Sequence, residues 1–116
     1  MIPELKGLMS PDLIDDQRPP MPSNCRVLVE AEIGPSESDG SEIFSFEVCT
    51  PSALEADSRP TWLKGVLLVE SFDWHSVEQA ILQYLMQCSG DSWDEIARKL
   101  SRQLNWEFED YRATIS

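Results

Sequence analysis

The chain has 116 residues, 41% of them apolar, with 21 acidic against 9 basic side chains and a formal net charge of −12. That length suits one hydrophobic core and is too short for two, so residues 1–116 are expected to form a single domain of globular type. The charge argues against nucleic acid and anionic membranes as partners, because both are held through Lys and Arg. It suits a basic protein partner, whose approach it would steer, and it equally suits plain solubility.

In chain order, Ile2–Leu8 is a short extended candidate, and residues 10–24 form a loop with Pro11, Pro19, Pro20 and Pro22 and no clear period. From Val27 the apolar residues alternate: Val27, Val29, Ala31 and Ile33 oppose Leu28, Glu30 and Glu32. That is a strand with one mostly wet face. Residues 35–41, "PSESDGS", read as a turn. Residues 42–50 alternate again, with Phe44, Phe46 and Val48 on one side. Strand, turn and strand predict an antiparallel hairpin with an acidic tip. Pro51 opens one helical turn over 51–56, and residues 61–72, "TWLKGVLLVESF", predict a third long strand in a central, buried position.

Two helices follow. Ser76 and Gln79 have the spacing of a capping box, and Val77, Ala80, Ile81, Tyr84, Leu85 and Cys88 share one helical face. Gly90 ends that helix. Ser92 and Glu95 form a second capping box, ahead of an apolar stripe of Trp93, Ile96, Ala97, Leu100 and Leu104. Strands first and helices last predict an α+β two-layer sandwich: a small antiparallel sheet of about four strands packed on a C-terminal helical hairpin.

Little in the chain reads as chemistry. The cysteines, Cys25, Cys49 and Cys88, are odd in number, lack C-x-x-C spacing and sit among apolar residues, so reduced, buried thiols are expected. Metal ligation is not expected with a single histidine, and no phosphate-cradling glycine loop is present, so neither cofactor nor metal is assigned. His75 beside Asp73 would need a nucleophile such as Ser71, Ser76 or a cysteine, and the position reads instead as a helix start. No catalytic residue is assigned, and the chain is not expected to be an enzyme. Acids cluster at Asp15–Asp16, at Glu37, Asp39 and Glu42, and at Glu107, Glu109 and Asp110, each readable as a solvated surface. In the run "NWEFEDYR", residues 105–112, an extended chain would turn Trp106 and Phe108 to the core and Glu107 and Glu109 to water. The four tryptophans suit the rim of a small core, or one or two of them serve as interface anchors. The longest apolar run, residues 66–69, is too short to span a bilayer, and the N-terminus lacks the organisation of a secretory signal. A cytoplasmic location is expected.

Three stretches carry a resemblance: "ELKGLMSPDL" near the start, "EIGPSESDGSEIFSFEVCTP" across the hairpin and "SWDEIARKLSRQLNWEFEDY" near the end. Together they resemble the immunity protein 8 family of bacterial polymorphic toxin systems, with Trp93, Trp106, Phe108 and Tyr111 among the motif residues. The resemblance implies a small cytosolic protein that binds the C-terminal domain of a cognate toxin, as in contact-dependent growth inhibition, and protects the producing cell. It implies no catalysis. The acidity suits a basic nuclease as that toxin, bound by a monomer or in a 1:1 complex. The loops place the expected contact at Asp15, Asp16, Glu37, Asp39 and Glu42. The alternatives are an acidic adaptor or nucleic-acid mimic with another protein partner, and a hydrolase built on His75 and carboxylates.

Overall fold

A computed structural model describes residues 1–14, 17–56 and 59–109. Its elements run β1 (Pro3–Met9), β2 (Arg26–Pro35), β3 (Glu42–Cys49), α1 (Pro51–Glu55), β4 (Val66–Leu68), α2 (Trp74–Leu85), α3 (Trp93–Leu100) and β5 (Asn105–Trp106). The fold is α+β, a mixed sheet with α2 and α3 packed on one face.

The period-2 alternation sets the register. β2 and β3 pair antiparallel from Arg26↔Cys49 to Ile33↔Glu42, which places Val27, Val29, Ala31 and Ile33 beside Phe44, Phe46 and Val48 on one face. All seven are buried. β1 completes the other side of β2 in antiparallel register, with an irregularity between Leu5 and Gly7. Against this apolar face lie Val77, Ile81, Leu85 and Cys88 of the first long helix and its exit, and Ile96, Ala97, Leu100 and Leu104 of the second. The helical stripes read from spacing are thus the stripes that pack, each large buried side chain contributing about 1.5–3 kcal/mol.

The helix starts differ in detail. α2 begins before Ser76, because Asp73 takes the cap position and its carboxylate accepts from Ser76 N at 3.1 Å and Ser76 Oγ at 2.8 Å. Ser92 does cap α3, accepting from Glu95 N at 3.2 Å. The reciprocal half of that box is shifted by one residue, since the Glu95 carboxylate accepts from Asp91 N at 2.9 Å.

The expected long third strand is the main departure. Only Val66–Leu68 is strand, and it runs parallel to β3, pairing Glu47 to Cys49, so the sheet is mixed. Gly65 has φ 73, a left-handed conformation that interrupts an extended run. Its carbonyl accepts from Glu47 N at 2.7 Å, and a Cβ there would lie 2.5 Å from Asn105 Nδ2. The remaining part of this β3 edge is taken by β5, through Phe44↔Trp106 and Ser45↔Asn105. β4 therefore lies at the sheet's rim and not at its centre, and Trp62, ahead of it, is 99% exposed.

The closing segment is extended for two residues and then turns. Trp106 is buried at 8% exposure and stacks on Phe44 with ring centroids 6.2 Å apart and planes within 7°. Phe108 is 40% exposed and meets Trp106 edge-on at 6.0 Å, so it covers Trp106 from the rim and does not enter the core beside it. Tyr111 lies outside the described residues.

Candidate partner-binding site

The β2–β3 turn is built to hold its shape. Ser38 N donates to Pro35 O at 3.1 Å, and Ser36 N reaches back to Ile2 O at 3.0 Å, tying the turn to the N-terminus. Ser38 Oγ accepts from Gly40 N at 3.1 Å. From β1, Lys6 Nζ donates to the carbonyls of both Ser38 and Gly40, the latter at 3.1 Å. Gly34 is required by close approach, because a Cβ there would sit 2.0 Å from the Gly40 carbonyl oxygen. Glu37 and Asp39 stand exposed on this frame.

Glu42 belongs to the same end of the hairpin but has a second tie. It is half-buried at the start of β3, and the indole N–H of Trp93 donates to its Oε1. Trp93 in turn meets Phe44 edge-on, with centroids 6.2 Å apart and planes at 80°. Phe44 thus links Trp93 and Trp106 into one aromatic group beneath the tip. Behind Trp93, the Asp91 N–H holds the Glu95 carboxyl below its ordinary range. Asp94 pairs with Arg98 at 3.0 Å and Glu95 with Lys99 at 3.6 Å, so the acids of α3 are compensated along their own helix.

Of the expected acidic contact set, Glu37, Asp39 and Glu42 fall among the described residues and come together at the tip. The described parts of the Pro-rich loop attach at the other end of the hairpin: Ser10 Oγ donates to Leu28 O at 2.5 Å, and Leu28 N donates to Asp12 Oδ2 at 2.8 Å. At about 3.4 Å per residue, Leu28 lies roughly 27 Å along the chain from Ser36, just past the end of β2. Trp74 Nε1 donates to Gln17 O at 3.2 Å and Phe72 N to Pro22 O at 2.8 Å, tying the same loop to the start of α2. Asp15 and Asp16 lie outside the described residues.

Among the described residues, His75 is not assembled with a nucleophile. Asp73 spends its carboxylate on Ser76, which holds its pKa below the usual value, and His75 stands exposed in the first turn of α2. Burial raises the Cys25, Cys49 and Cys88 thiols, which keeps them protonated. Burial also pushes Tyr84 up to about 12, and its hydroxyl donates to Lys99 O at 2.7 Å, joining the two helices. Among the described residues, no three His, Cys, Asp or Glu side chains are grouped to hold a metal ion. No described helix is long and apolar enough to cross a membrane.

Three features of this surface escape sequence reading. Lys6 is 32 residues from Ser38, and Trp93 is 51 residues from Glu42, so neither bond leaves a local pattern. The full exposure of Trp62 is hidden by the apolar run beside it.

No curated protein and no solved structure matches the chain significantly. The family model of immunity protein 8 matches residues 3–111, nearly the whole chain and all of the strands and helices described above. The chain belongs to the immunity protein 8 family.

Proposed function

We propose that this chain is a stoichiometric inhibitor of one toxin domain, acting in the cytoplasm as a single domain over residues 1–116. It binds the C-terminal domain of a cognate polymorphic or contact-dependent inhibition toxin in a 1:1 complex and blocks its activity without turnover. A basic nuclease is the toxin class that fits a chain of net charge −12, because the acids oppose the charges such an enzyme uses on phosphate. The observation that carries this reading is the braced tip, which presents Glu37 and Asp39 to solvent on a turn held by Lys6 and the Gly34–Gly40 approach. A rigid acidic projection binds a basic cleft without the ordering cost of a loose loop.

The test is co-expression with the toxin domain encoded beside this gene, followed by co-purification and assay of the toxin. The expected result is a 1:1 complex with the toxin silent. A toxin that stays active and elutes alone would overturn the proposal, and capture of an unrelated protein in its place would favour an acidic adaptor or nucleic-acid mimic. Protection that survives His75→Gln is expected; its loss would point to a hydrolase.

A further inference from the structure

Beside the tip lies a pocket of about 270 Å³, lined by Pro35, Ser38, Gly40, Ser41, Glu42 and Trp93. That volume is several times the share of one liquid water, so a long side chain has room there. One wall is the Trp93 indole. Another is the Glu42 carboxylate, whose Oε1 is taken by the indole N–H and whose Oε2 has no hydrogen-bond partner among the described residues. The indole bond engages one carboxylate oxygen and leaves the other for a second donor. The carbonyls of Ser38 and Gly40, in the turn that forms the rest of the wall, are taken by Lys6 Nζ, so the carboxylate of Glu42 is the acceptor left for an incoming cation. Glu37 and Asp39 on the same turn add negative field around the mouth.

A carboxylate oxygen beside an aromatic face is the environment of a guanidinium. Its plane stacks on an indole while its edge donates to a carboxylate, which a compact, strongly hydrated ammonium does less well. We propose that this pocket is a socket for one arginine side chain of the bound toxin, with the guanidinium stacked on Trp93 and paired with Glu42. The proposal rests on the reading of the chain as a toxin-binding protein and adds to it the side chain that is recognised.

The full ¹⁵N-labelled chain is titrated with N-acetyl-arginine amide, following the Trp93 indole N–H resonance, which is assigned by its absence in Trp93→Phe. A saturable shift is expected, larger than that from sodium chloride at equal ionic strength and larger than that from N-acetyl-lysine amide. Glu42→Gln keeps an acceptor for the indole and loses the charge, and it is expected to weaken the probe by about tenfold with other resonances unmoved. A shift no larger than that of salt, equal binding of the lysine probe, or a Glu42→Gln chain that binds as wild type would each overturn the socket. The toxin complex separates the two proposals. Failure of the wild-type chain to bind toxin overturns the function; binding that Glu42→Gln leaves unchanged overturns the socket alone.

Discussion

The hairpin tip and the segment leading into β4 are both exposed, and they are exposed for different reasons. Residues 35–42 show charge on a frame of main-chain hydrogen bonds, a lysine clamp and an aromatic base of Phe44, Trp93 and Trp106. Residues 61–64 show an indole, with Trp62 at 99% exposure. The side chains of that segment bond at its edges, Thr61 Oγ1 to Arg59 O at 3.0 Å and Lys64 to Glu109 at 2.7 Å. Charge at the surface costs nothing in packing, so the tip can be rigid and wet at once. A bare tryptophan gains nothing from its exposure in the isolated chain.

Substitutions at the two places are expected to separate accordingly. Phe44→Ala removes the ring on which Trp93 and Trp106 rest, in a fully buried position, and is expected to cost about 3–5 kcal/mol by chemical denaturation. A loss near 1 kcal/mol would mean that the aromatic base does not support the tip. Gly34→Ala forces its Cβ against the Gly40 carbonyl, and a cost of about 1–3 kcal/mol is expected, with altered amide resonances through residues 35–41. Unchanged resonances there would show that the turn yields freely.

Acid tests the ground behind Trp93. The Glu95 pKa is held down in the folded chain by the Asp91 N–H, so its stabilisation is present above the unfolded carboxylate value and is lost as pH falls through the lower folded value. The start of α3 is expected to loosen below that range, with the Asp91 amide resonance moving, and Glu95→Gln is expected to lose most of that pH response. Trp62→Ala should do least, within about 0.5 kcal/mol of wild type, as for other surface changes free of buried contacts. A clear destabilisation there would place Trp62 against the body of the protein.

Much of the architecture was legible because period and burial agree. The alternation from Val27 to Ile33 and from Phe44 to Val48, and the stripes of the two helices, name the packed residues directly. The third strand misled because the apolar run at 66–69 suggests depth, while a single left-handed glycine shortens the strand and a second segment shares its edge. At the tip, sequence gave the acids but not what holds them. Glu37 and Asp39 follow from turn chemistry, whereas the lysine clamp and the Glu42–Trp93 bond exist only once β1 and α3 are in place. Phe108 illustrates the limit of alternation: two residues of strand are too few to carry the pattern past Trp106.

The most direct measurement is the affinity of the chain for its adjacent toxin domain at low and at moderate salt, for wild type and for the pair Glu37→Lys and Asp39→Lys. Steering by a braced acidic tip gives a wild-type affinity that falls as salt rises, and a reversed pair that binds at least about tenfold more weakly at low salt, with a flatter salt response. Equal affinity and equal salt dependence in the two chains would contradict a toxin contact at the tip.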